Sequence, residues 1–166
     1  MALTLFYITN HPVVAQIAED TGVDRIFIDM EHIGKAQRQR GMDTVQLNHS
    51  VKDVERLRAA LCRAELLVRV NPIHGNLSGE MNSREEINAV IGAGADCVML
   101  PYFKTAGELS TFAEMVNGRA KTVALLETVE AAESVAELAK VDGIDEFYIG
   151  INDLSIGLGK KFMFEL

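Results

Sequence analysis

The sequence predicts an α/β protein built from repeated strand–helix units around a parallel sheet. Short apolar runs of strand length alternate with amphipathic helical patterns along the chain. The runs are largely apolar rather than alternating, as expected of strands covered on both faces. Charged and amide side chains collect where several of these runs end, which points to a site on one edge of the sheet.

Strands are expected at residues 3–9 (LTLFYIT), 25–30 (RIFIDM), 65–70 (ELLVRV), 97–101 (CVMLP), 122–127 (TVALLE) and 146–150 (EFYIG). A first helix is expected around Val13 to Asp20. A second, SVKDVERLRAAL, places Val54, Leu57 and Leu61 on one face with Ser50 as its cap. Ser83 and Glu86 form the predicted capping box of a third, which stops at Gly92 and Gly94. Thr105 and Glu108 repeat the box for a fourth. In the fifth, Ala131, Val135 and Leu138 share a helical phase before Gly143.

This order implies right-handed crossovers and a sheet that is either doubly wound or closed into a barrel. No GxGxxG follows the first strand, which argues against a dinucleotide fold. The longest irregular stretch, EHIGKAQRQRGMDTVQLN, follows the second strand. A loop of that length is often functional.

At 166 residues and 48% hydrophobic, the chain suits one globular domain, residues 1–166. A net charge of −8 argues against nucleic acid or an anionic membrane as partner, because both require a basic face. No apolar run approaches the roughly 20 residues of a membrane span, and no basic leader precedes the first strand. A cytoplasmic location is therefore expected. Cys62 and Cys97 form no CxxC pair and are expected to be buried and reduced.

Asp29, Glu31 and His32 follow the second strand, and Arg69 and Asn71 close the third. Glu127 closes the fifth, and Asp153 follows the sixth. Glu127 and Asp153 are about one βα unit apart, on neighbouring strands roughly 4.8 Å from one another. Their carboxylates can converge on a hard cation such as Mg²⁺ or Mn²⁺ that takes its other ligands from water or substrate. Equally, Glu127 can cap the next helix and Asp153 the turn DLSIG. Arg69 requires a carboxylate partner, Asp29 or Glu31, or an anionic ligand. His32 suits a general base near neutral pH or an ordinary loop position. Lys35, Arg38 and Arg40 read as a solvated loop face, with an anion-binding role as the alternative. His11, His49 and His74 read as structural or solvent-facing.

Taken together, GVDRIFIDMEH (22–32), LLVRVN (66–71), GADCVMLPYFKTAGEL (94–109), LLETVEA (125–131) and GIDEFYIGINDLSIGLG (143–159) resemble the HpcH/HpaI aldolase/citrate lyase family. The resemblance implies a (β/α)8 barrel of TIM type that binds pyruvate or a related 2-oxo acid through a divalent metal. It makes Glu127 and Asp153 metal ligands, with Mg²⁺ or Mn²⁺ expected and Co²⁺ as a substitute. Arg69 becomes the enolate-stabilising contact, and His32 part of the acid/base apparatus. Because the turn leads toward a helix start, backbone N–H groups around Asn152 and Asp153 are expected to receive the substrate carboxylate, with an aldehyde as second partner. An acyl-CoA lyase of citryl- or malyl-CoA type, or a fragment that only binds a 2-oxo acid or a partner subunit, is the alternative.

Leu125 stands where many aldolases of the family have glutamine, and Ile151 where they often have proline. About six βα units are present, so the barrel is expected to be incomplete, with its last two strands missing. The first and sixth strands would then be open edges, favouring a homo-oligomer.

Overall fold

The structure is a computed structural model that describes residues 3–35 and 47–165. Six strands form one parallel sheet in sequential order: β1 (Phe6–Ile8), β2 (Arg25–Asp29), β3 (Glu65–Arg69), β4 (Cys97–Leu100), β5 (Lys121–Leu126) and β6 (Glu146–Ile149). Each expected strand is found, with β1 shorter than its apolar run. The sheet is a curled half-barrel, open between β1 and β6, rather than a closed eight-stranded barrel.

Its curl is visible in contacts that skip strands. Phe6 on β1 and Tyr148 on β6 stack with ring centroids 5.5 Å apart. Arg25 on β2 reaches Glu146 on β6 at 2.5 and 2.6 Å, besides pairing with Glu65 on the adjacent β3 at 2.8 Å. These side chains share the concave face with Leu67, Cys97, Met99, Val123 and Leu125. On the convex face, Ile26, Ile28, Leu66, Val68, Val98, Leu100 and Ala124 join the larger core. Burying a side chain such as Leu57 or Phe112 there contributes about 1.5–3 kcal/mol.

The helices are α1 (Pro12–Asp20), α2 (Val51–Arg58), α3 (Ser83–Gly92), α4 (Ala106–Val116), α5 (Val129–Glu133), α6 (Val135–Leu138) and α7 (Ile151–Gly157). Pro12 opens α1, where its missing N–H costs nothing. Ser50 and Asp53 form a capping box on α2, and Thr105 and Glu108 one on α4. On α3 the box is Asn82 with Glu85, one residue earlier than expected. Ser83 instead accepts the His74 N–H through its hydroxyl, and Glu86 turns inward to Asn71.

The expected fifth helix breaks at Ser134 into α5 and α6. There Ser134 donates its N–H to Ala131 and accepts from Glu137 and Leu138, so one turn tightens and another begins. Val135 consequently leaves the phase it was expected to share and is exposed. Cys97 is buried as expected, whereas Cys62 is exposed, because it sits in the turn after α2 with its N–H on Glu19. Among the described residues no helix is long and apolar enough to cross a membrane.

Candidate active site

The C-terminal edge of the sheet gathers most of the predicted site residues around a cavity of about 530 Å³. Arg69, Glu127, Asn152 and Asp153 line it, together with Asp29 and Lys35. Glu127 and Asp153 also line a second cavity of about 520 Å³ beside Tyr102 and Val129. The carboxylate pair thus stands where two cavities meet.

Glu127 follows β5 directly and is 3% exposed. Its Oε1 accepts the Tyr102 N–H at 3.0 Å. Burial, then repulsion from Glu31 and Asp153, pushes its carboxyl up to about 8, against the opposing pull of Arg69 and the Tyr102 N–H. Tyr102 holds φ at +50°, a left-handed conformation costly for a residue with a side chain. Asp153 lies in the first turn of α7, which starts after Gly150. Glu127 does not cap α5, because the Thr128 side chain does, accepting the Ala131 N–H.

Arg69 forms the ion pair that its apolar strand demanded. Its Nε and Nη2 donate to the two oxygens of Asp29 at 2.8 and 2.7 Å, and its Nε lies 3.5 Å from Glu31. Burial opposes the guanidinium charge, but Asp29, Glu31 and Glu127 together keep it firmly protonated. Burial likewise pushes Asp29 up, and contacts with Arg69 and Lys35 more than offset it, leaving Asp29 below the usual carboxylate range.

Lys35 departs from the expected solvated face. It is 6% exposed, with Nζ 2.7 Å from Asp29 and 3.6 Å from Glu31. Arg38 and Arg40 lie outside the described residues. The loop pattern around Lys35 has no periodicity from which its inward position can be read.

His32 is placed apart from this group. It lines a neighbouring cavity of about 340 Å³ with Asn71, Glu80 and Glu86. Its Nε2 is 3.2 Å from Glu80, and its Nδ1 is 3.0 Å from the Met30 carbonyl. Burial lowers the imidazole's proton affinity, but the Met30 carbonyl and Glu80 outweigh it and raise the pKa. His49 accepts the Asp29 N–H, and burial lowers its pKa. His74 is tied to Pro72 and Met81, as a structural histidine would be.

Asn71 lines the cavity of His32 and ties down the loop after β2. Its Oδ1 accepts the N–H groups of His32 and Ile33, both at 2.9 Å. Its own N–H and Nδ2 donate to Glu86. Burial raises the Glu86 pKa, against the Asn71 hydrogen bonds. The link fixes the loop that carries Glu31, His32 and Lys35. Glu86 had been read only as a helix cap.

Among the described residues no three His, Cys, Asp or Glu side chains converge as a ready-made metal cage. The donor chemistry nevertheless fits a hard cation bound partly by substrate and water. Glu127 and Asp153 bring carboxylate oxygens to one cavity, the donor type that such a cation takes.

A hydroxypyruvate/pyruvate aldolase from Sagittula stellata is 24% identical, over 88% of this chain and 61% of its own length. The chain thus spans less than two thirds of that relative. Among solved structures, an HpcH/HpaI aldolase/citrate lyase family protein from Burkholderia cenocepacia superposes with a TM-score of 0.74 at 17% identity, over 96% of this chain and 68% of the other. The citrate lyase β subunit from M. tuberculosis, complexed with oxaloacetate and magnesium, gives 0.61 at 23% identity, over 95% of this chain and 61% of the other. These superpositions show the shared fold. The family model for HpcH/HpaI aldolase/citrate lyase matches residues 2–163, the span that holds all six strands and their polar edge, so the chain belongs to that family.

Proposed function

We propose that the protein is a divalent-cation-dependent carbon–carbon lyase of aldolase type. It cleaves or forms 2-oxo acids through the enolate of a pyruvate-like substrate. The carrying observation is that Glu127, Asp153 and Arg69 line one cavity at the C-terminal edge of a parallel sheet. The aldolase relative and the oxaloacetate and magnesium of the citrate lyase β subunit support this reading.

Glu127 and Asp153 would hold the cation, Mg²⁺ or Mn²⁺. When bound, it supplies Lewis-acid polarisation of the keto group. Arg69 is kept charged and oriented by Asp29, so it presents a fixed positive group to the oxygen on which negative charge develops. Backbone N–H groups around Asn152 and Asp153, at the start of α7, would receive the substrate carboxylate from the same cavity. In cleavage the carbon–carbon electron pair remains on the 2-oxo acid fragment as its enolate, and the other fragment leaves as an aldehyde. His32 lies in the neighbouring cavity and would serve the departing hydroxyl proton only through water.

Solvent deuterium exchange at the pyruvate methyl, with Mg²⁺ or Mn²⁺ present, tests this without knowledge of the aldehyde. Exchange that requires the cation and is lost in Glu127→Gln is the expected result. Absence of exchange by the wild-type protein would overturn the reading.

A further inference from the structure

The Asp29 carboxylate is shared by two cations, and the proposed reaction accounts for only one of them. Arg69 takes both Asp29 oxygens, and Lys35 takes Oδ2 at 2.7 Å. Burying an ammonium to 6% exposure is expensive unless it is paired, and Lys35 is paired with Asp29 and Glu31. Structural pairing alone does not require the lysine to line the cavity that holds Glu127, Asn152 and Asp153, yet it does.

The order of contacts around the cavity bears on its task. Arg69 lies close enough to Glu127 for their charges to interact, and Lys35 joins that group through Asp29 and Glu31. Arg69 therefore belongs at the enolate end. Lys35 lines the same cavity, and its Nζ is the cation there that the enolate step leaves unused.

We propose that Lys35 is the proton donor to the acceptor carbonyl in carbon–carbon bond formation. This rests on the aldolase reading above. The enolate carbon attacks the aldehyde carbon and a carbon–carbon bond forms. The carbonyl π pair moves to the aldehyde oxygen, which takes a proton from the Lys35 Nζ. The neutral amine left behind regains a proton from water. Asp29 and Glu31 hold the Lys35 Nζ in place. His32, which the family resemblance nominates for this proton, is in the adjoining cavity beside Glu80.

The test measures two reactions in wild type, Lys35→Met and Lys35→Arg, with Mg²⁺ present. One is pyruvate methyl exchange in deuterated water. The other is condensation of pyruvate with acetaldehyde, glycolaldehyde or glyoxylate. In Lys35→Met, condensation is expected to fall about 100-fold further than exchange does, the scale of a lost general acid. Lys35→Arg keeps the charge and the ion pairs but is a far weaker proton donor, so it should show the same split. Equal losses in both reactions would make Lys35 a support for Asp29 and Arg69, and overturn the proposal. So would a wild-type protein that exchanges the methyl protons and condenses none of the three aldehydes. Failure of the aldolase reading is distinct, because the wild type would then show no exchange at all.

Discussion

Gly150 passes over Glu127 so closely that a Cβ on it would lie 2.8 Å from the Glu127 Cβ and 2.9 Å from Oε2. That clearance lets the chain leave β6 directly across the buried carboxylate and bring Asp153 into the same cavities one helical turn later. Gly150→Ala should therefore push Glu127 or α7 aside. A stability loss of about 1–3 kcal/mol is expected from the overpacking, with Mn²⁺ affinity weakened at least about tenfold. Denaturant melts and Mn²⁺ titration followed by electron paramagnetic resonance would measure both. Full Mn²⁺ affinity in this variant would show that the approach is not needed for the carboxylate pair.

Glu127 should make the cation-free protein sensitive to pH. Its carboxyl rises from 4.5 to about 8 on folding. The folded chain thus holds this proton more tightly than the unfolded chain does. The contribution to stability is fully present below about pH 4.5 and is lost as pH rises through about 8. In EDTA, wild-type Tm should decline from pH 5 to 9 more steeply than that of Glu127→Gln, which has no proton to lose. Cation binding competes with the same proton, so Mg²⁺ affinity should rise with pH and level off above about 8. Parallel Tm profiles for the two proteins would remove Glu127 as the titrating group.

Arg69→Lys should separate charge from geometry. Lysine keeps the positive charge but cannot give Asp29 two parallel hydrogen bonds while facing the cavity. Pyruvate methyl exchange should fall more than about tenfold, with the fold intact by circular dichroism. Equal exchange rates would leave Arg69 only its ion pair with Asp29.

The sheet was legible because covered parallel strands write themselves as short apolar runs, and the site edge was legible because Asp29, Arg69, Glu127 and Asp153 interrupt or follow those runs. Details that depend on third-dimension partners were not. Residues 82–86, NSREE, contain two overlapping capping boxes, and only the inward turn of Glu86 to Asn71 selects the one at Asn82. Lys35 carries no local sign of burial, since its partners lie four and six residues back around a strand end. The break at Ser134 is similarly invisible in a pattern that keeps its helical phase across it.

Asn71 supplies the last prediction. It sits just past β3 and is 3% exposed. One side of its amide receives two backbone N–H groups from the loop after β2, and the other side donates to the buried Glu86. Asn71→Ala keeps the backbone N–H on Glu86 but removes the amide, leaving His32 N, Ile33 N and part of the Glu86 carboxylate without that partner. Losing these buried contacts should cost about 1–3 kcal/mol. Asn71→Asp would place a second carboxylate against Glu86 and should cost more, with the loss growing as pH rises and both acids ionise. If Asn71 also positions the loop, hydrogen exchange at residues 31–35 should speed up in both variants, beyond any change at β4 or β5. Loop amides that exchange as slowly as in the wild type would mean that Glu31 and Lys35 hold their places through Asp29 and Arg69 alone.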